Sequence, residues 1–396
     1  MVAFVGALSR KCINELRAPA SEISASAPVA KFTVAEKILV YFGALALQLF
    51  VLYFAFLTTG QGFSYSEFSD VLQTRFTTAG DIPHYLYLAE HGYQSSGEKA
   101  NLIVFYPLYP GVIWLVKFFC GSYVTAGLLI SWACWGAACV SMLELASQRY
   151  DRSRAALAAL LLALYPFSFF SMGVFTESLF LLLGAQCLLR IERRQWIAVG
   201  VLGCLAALCR TQGILLILPA VYAWLLARKE KDHGYQGLFL LLVPAGFGGY
   251  LLLNKVVAGS WTAYYGYQSA APWYQSTKWI TVNLIQNYEM AHQYPGLAPF
   301  IYAADLVAYF TAMALLLYGL FSGAPSYILL YGGAYLGMCY LSGNLISGPR
   351  YLFACLPLFL LLARPKNRVW QNMVPVVSAL LFFCYSVYYM QGQAIM

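Results

Sequence analysis

Long apolar runs alternate along this chain with short polar segments, and most runs approach the ~20 residues a helix needs to cross a bilayer. The pattern predicts spans at about 34–57, 122–147, 155–171, 174–190, 196–209, 213–227, 237–256, 300–320, 326–341, 350–363 and 370–390. That makes eleven spans in an all-α polytopic membrane protein. The polar stretches divide it into a mobile tail, 1–33, and a single transmembrane domain, 34–396. Two external segments are large: a first loop at 58–121 and a second at 257–299. The run 101–119 is apolar but carries Pro107, Pro110 and Lys117. It is expected to lie at or dip into the membrane surface as an interfacial helix. Some spans are short. A 14-residue helix covers only ~21 Å of a ~30 Å hydrocarbon core, so short helices meeting at Arg210 and at Arg350 predict a hollow open to one face.

Charge sets the orientation. Arg10, Lys11, Arg17, Lys31 and Lys37 lie at or before the first span, and further basic clusters fall at 149–154, 190–194, 228–231 and 364–368. Together they hold seventeen of the 24 Lys and Arg. Such clusters mark the cytoplasmic side of spans, so the large loops face out. The charge of +8 is therefore spread along membrane boundaries, and no basic patch suggests nucleic acid. A hydrophobic content of 61% with 10% charged residues and a mean hydropathy of +0.66 exclude an ordinary soluble domain. The ten cysteines are scattered, with no Cys-x-x-Cys pair, and predict neither a disulfide framework nor a zinc site. His84 and His91 stand two helical turns apart, the one spacing that would suit a metal pair.

Against that background, one stretch concentrates ionisable groups. Residues 81–110, DIPHYLYLAEHGYQSSGEKANLIVFYPLYP, hold Asp81, His84, Glu90, His91, Glu98 and Lys99. Asp81 opens a short amphipathic helix, where it suits either a catalytic base or a helix cap. Glu177, in FTESLF, starts a span, where a carboxylate also compensates the helix N-terminus. Arg210, in CRTQG, and Arg350, in SGPRYL, are flanked by apolar residues and need an anion. That anion is a phosphate gripped by the guanidinium forks or an internal carboxylate, Glu177 or Asp305. The second loop is rich in Tyr and Trp, as an interfacial aromatic belt or as stacking surfaces for sugar rings. Gln268, Trp273 and His292 are its pocket candidates.

These motifs in this order resemble the PIG-V mannosyltransferases, within the GT-C superfamily of polytopic membrane glycosyltransferases. The resemblance rests on Asp81, His84-Tyr85, Ala89, Gly92-Tyr93 and the element Phe105, Pro107, Leu108, Tyr109 and Pro110. It continues through Thr176 to Phe180, Arg210 before Thr211 and Gly213, and Pro349-Arg350-Tyr351, covering about residues 75–360. Gly80 stands where the family places an aromatic, and Gln212 where it places Asn. The resemblance implies a GT-C-like bundle and inverting transfer of a sugar, mannose above others, from a polyprenyl- or dolichyl-phosphate donor. The acceptor is lipid-linked or a glycan. Asp81 would be the general base, with His84, Tyr85, Glu177, Arg210, Gln268, Arg350 and Tyr351 lining the substrates, and no cofactor is implied. Transport or flipping of lipid-linked sugars, or ligation of an outer-leaflet glycan, are the competing readings, although no internal repeat supports a transporter. Compact length favours a prokaryotic plasma membrane over the endoplasmic reticulum, with the site on the outer or lumenal face.

Overall fold

The structure, a computed structural model, describes residues 1–18, 30–59, 65–228, 234–343 and 346–393. Its described elements are helical throughout, with one isolated bridge between Thr277 and Ser342. The first part of the chain forms α1 (Val2–Arg17), α2 (Val34–Thr58), α3 (Tyr65–Thr77), α4 (Ile82–His91) and α5 (Leu108–Cys120). There follow α6 (Tyr123–Ser147), α7 (Arg152–Ala163), α8 (Glu177–Glu192), α9 (Trp196–Cys209), α10 (Ile217–Ala227) and α11 (Leu242–Ala258). The remainder is α12 (Ala263–Ser269), α13 (Ile280–Gln293), α14 (Tyr302–Phe321), α15 (Ser326–Tyr340), α16 (Gly348–Phe353), α17 (Leu356–Leu362) and α18 (Arg368–Met390). Side-chain caps fix several starts: Thr33 forms a capping box with Glu36 before α2, and Ser122, Asp151 and Asn367 cap α6, α7 and α18.

Among the described residues, five helical segments are long and apolar enough to cross a membrane: α2, α6, the 3-10 turn at Tyr235 running into α11, α14 and α18. The count becomes six if the bent pair Glu98–Val104 and α5 is one span. This is the architecture of an integral membrane protein. The count of eleven spans expected from the sequence is not confirmed. Breaks at Gly173 and Arg210 fall where span ends were expected, leaving α8 with 16 residues and α9 with 14, while those around Pro166 and Cys355 interrupt expected spans. The expected span 350–363 is divided into α16 and α17. At 106°, the bend before α5 likewise rules out a straight crossing over 101–119.

Of the short helices, α8 is interior, whereas α9 and α10 each keep an exposed face. α6 is the most enclosed long helix, 61% buried against 22% for α2, α11 and α18, and it packs on α8 and α7. Apolar burial alone would strand the carbonyls exposed at the chain breaks. Gln48, fully buried on α2, meets that need, donating to Ala163 O and to the Ser168 hydroxyl at 3.0 and 2.8 Å. The first part of the expected N-terminal tail is helical. Phe4, Leu8 and Cys12 recur along one face of α1 and bury it, in part against α15, so residues 2–17 form a docked helix. The rest of the expected tail, 19–29, lies outside the described residues.

The basic clusters converge. Lys37 and Arg193 both reach Glu144, at 2.5 and 3.1 Å. Arg149 forks onto Glu192 with two contacts of 2.8 Å. Arg152 meets Glu36, and Arg154 donates to Arg364 O at 3.1 Å. The ends of α2, α6, α8 and α17 thus share one basic end of the bundle. Glu177 starts α8 and Glu192 ends it, about 22 Å apart at ~1.5 Å per residue, so Glu177 sits toward the opposite end. Positive-inside bias predicts that the basic end is cytoplasmic. With exposed Cys384 replaced by Ser, Ser96→Cys should react with an impermeant maleimide added outside, and Lys366→Cys only after permeabilisation. Ser96 is preferred to its neighbour Gly97, whose φ of +83° disfavours a side chain. Reversed accessibility would overturn the orientation.

Candidate functional site

Four chain breaks supply the site. The left-handed Gly80 (φ +60°) turns the chain into α4 and places Asp81 at its start. Asp81 occupies the N-cap position, but its side chain makes no capping hydrogen bond. Its carboxylate instead lies 3.1 Å from Nη2 of Arg350, so the cap reading fails. Before α8, the Val174 amide donates to Phe76 O at 3.2 Å, pinning that break to the end of α3. Glu177 then emerges in the first turn of α8, where the helix dipole favours a carboxylate. Arg210 leaves α9 in extended conformation. It is followed by a 3-10 turn in which a Cβ on Gly213 would lie 2.2 Å from the Ala206 carbonyl carbon. Only glycine allows that approach, which gives the spacing from Arg210 to Gly213 a steric reason. Arg350 rides on α16, directly after Pro349.

These residues meet. Glu177 Oε1 accepts from Nε of Arg350 at 2.7 Å and lies 3.0 Å from Nη1 of Arg210. Arg210 Nη1 also donates to the Thr176 hydroxyl at 3.1 Å. The result is an alternating chain, Asp81–Arg350–Glu177–Arg210, with formal charges that cancel. Glu177 is fully buried and the two arginine side chains are 11% and 9% exposed, whereas Asp81 is 30% exposed. Asp81 is thus the open end of a buried ion network. The Arg350 guanidinium also lies over the rings of Phe170 and Phe175, at 4.4 and 4.8 Å. Neither arginine is used up, because each has five N–H donors and the contacts take Nε and Nη2 of Arg350 and Nη1 of Arg210.

Tyr85, His84 and Tyr351 pack beside the network. Tyr85 is buried, its ring edge-on to Phe105 and Tyr109 at 5.0 and 5.4 Å. The His84 ring lies between Phe105 and Trp273, at 5.2 and 5.6 Å. This joins α4 to the second external segment. Burial pushes the His84 pKa down against the opposing pull of Asp81, while Lys99 adds to the lowering. Tyr351 faces Arg210, with its ring 6.0 Å from the guanidinium carbon. Tyr93 and Tyr250 donate to the carbonyls of Phe105 and Ile103 at 2.8 Å, fixing the Phe-Tyr-Pro-Leu-Tyr-Pro element.

Gln268 does not join the ion network; its side-chain amide donates to Gln275 at 2.9 Å. His292 is exposed and bonded to Tyr288 O at 2.9 Å. Sequence reasoning named Thr176 only as part of a motif, and missed Phe170 and Phe175. Thr176 adjoins a flagged residue, but nothing in the apolar run around Phe170 marked it. Asp305 pairs with neither arginine: it accepts from the Gly348 amide at 2.8 Å and from Asn287 at 3.1 Å. It thereby anchors the turn that presents Arg350. Among the described residues no group of three His, Cys, Asp or Glu side chains is placed to hold a metal, and all ten cysteines are free thiols. No family model, curated protein or solved structure matches the chain.

Proposed function

We propose that this protein is an inverting membrane glycosyltransferase. It moves a sugar, with mannose the first choice, from a polyprenyl- or dolichyl-phosphate donor to a lipid-linked or glycan acceptor on the outer or lumenal face. The observation that carries the reading is the convergence of Asp81 with two buried arginines at the end of the bundle away from the basic clusters. In this reading the short apolar helices complete the crossings begun by the long ones, and the bundle is of the GT-C kind.

The chemistry follows from the charges. The acceptor hydroxyl gives its proton to the Asp81 carboxylate as its oxygen attacks the anomeric carbon. The bond from that carbon to the phosphate oxygen breaks on the opposite face, inverting the centre. The departing lipid phosphate takes up the bonding pair and is held by the free N–H groups of Arg210 and Arg350. Glu177 keeps both guanidiniums in place beforehand, so little reorganisation accompanies the developing charge.

The test is a transfer assay in membranes, with a panel of labelled polyprenyl-phosphate sugars and with Arg210→Lys and Arg350→Lys beside wild type. Lysine keeps the charge but has no fork, and at position 350 its single head replaces the Nε and Nη2 that reach two carboxylates. Each variant is expected to fold and to lose ~10²–10³-fold in turnover, as for removal of one oriented donor. No transfer from any donor in the panel would overturn the function. Wild-type rates in both lysine variants would leave the arginines as structural partners of Glu177.

A further inference from the structure

A second site lies at the basic end, independent of any reading of the Asp81 network. A cavity of about 640 Å³ opens between the end of α8, the start of α9 and the 3-10 turn at Tyr235. Its polar lining includes Arg190, Gln186, Gln195 and Gln236, and its apolar wall includes Ile197 and Val201 from α9. Both of those apolar residues are 45% exposed, so the wall continues onto the outer face of the bundle. The lining has a headgroup-sized polar part and a greasy flank.

The charge of Arg190 points to the ligand. Its neighbours at this end each reach a carboxylate: Arg149 forks onto Glu192, and Arg193 shares Glu144 with Lys37. Arg190 instead donates to two neutral amides, Gln195 Oε1 at 2.8 Å and Gln186 Oε1 at 3.3 Å. Gln186 is held in turn by donating to the Ser141 hydroxyl at 2.7 Å. The amides orient the guanidinium without cancelling its charge, and no carboxylate is among the described residues lining the cavity. A helix C-terminus welcomes a cation, but that does not account for a built cavity beside it. Basic pockets between spans on the cytoplasmic side suit phospholipid headgroups.

We propose that this cavity binds the phosphate of an anionic phospholipid, with Arg190 on the phosphate, the glutamine amides on its neutral oxygens and an acyl chain along Ile197 and Val201.

Native mass spectrometry of the intact protein, titrated with phosphatidylglycerol or phosphatidylcholine, tests this. Wild type should retain phosphatidylglycerol over phosphatidylcholine. Arg190→Gln should bind it roughly fivefold less tightly, the scale of one basic side chain near a membrane surface. Arg193→Gln removes the same charge outside the cavity and should retain the lipid. Val201→Trp fills the apolar wall and should reduce retention with Arg190 intact, which keeps the test valid even if Arg190→Gln misfolds. Glycerol phosphate, which has the anion but no chains, should not compete. Equal retention of the two lipids would overturn the proposal, as would wild-type binding by a folded Arg190→Gln or Val201→Trp variant, or full competition by glycerol phosphate.

Discussion

Asp81→Asn is expected to leave the protein folded and to remove nearly all transfer. The variant keeps the size of the side chain and loses only the charge and the ability to take a proton. Its cost in stability is small for two reasons. The Asp81 carboxylate makes no capping bond to α4, so the ~1 kcal/mol of a lost cap does not arise. Arg350 also retains its 2.7 Å bond to Glu177, so no buried charge is stranded. Activity behaves differently, because a positioned general base contributes ~10²–10⁴-fold. Purified wild type and variant should therefore unfold at similar temperatures while their turnover numbers differ by about that factor. An Asn variant with more than about a tenth of wild-type turnover lies outside that range. Asp81 would then serve as an exposed counter-ion to Arg350, and another group would take the proton.

The four residues of the network were legible one at a time, because charge inside an apolar chain is rare and rarely idle. Their meeting was only half legible. Internal pairing with Glu177 and a phosphate role for the arginines looked like alternatives in the sequence. In the structure the pairing with Glu177 is made, and each guanidinium retains donors, which leaves room for the phosphate role proposed above. Asp81 contacting Arg350 had no local signal, since the two lie on α4 and α16. Helix breaks were the other blind spot. Apolar character runs unbroken through Cys355, and hydropathy does not distinguish a crossing helix from one enclosed by its neighbours. The same limit hid α1, whose Phe4, Leu8 and Cys12 form a buried stripe too short to stand out in a polar tail. The gathering of charge was more legible than helix count because charge is additive: Lys37, Arg149, Arg152, Arg154 and Arg193, far apart in sequence, meet at one end.

In the proposed transfer the network divides labour between catalysis and fold, and the division has a measurable edge. Asp81 faces outward, Arg210 and Arg350 are nearly enclosed, and Glu177 is fully enclosed. Moving inward along this series, the cost of removing a charge should pass from catalysis to stability, because an unpaired charge is tolerated at the surface and expensive inside.

Glu177→Gln is the sharpest case. Glutamine keeps the shape and one accepting oxygen but removes the negative charge that two guanidiniums share. Asp81 alone then faces two buried arginines, and it touches only Arg350. Breaking a buried pair by removing one partner typically costs ~3–5 kcal/mol, a large part of the stability of most folded proteins. We expect Glu177→Gln to lower the unfolding temperature more than Asp81→Asn does and to reduce the yield of folded protein. The double variant Glu177→Gln, Arg210→Gln should recover part of that loss, since it removes a stranded cation together with its partner. The recovery distinguishes ion pairing from simple packing: residues in one network give a coupling energy of ~0.5–3 kcal/mol, whereas independent sites add. If Glu177→Gln unfolds at the wild-type temperature, or if the double variant is merely the sum of its parts, Glu177 does not hold the arginines. The preorganisation assigned to it in transfer would fall with it.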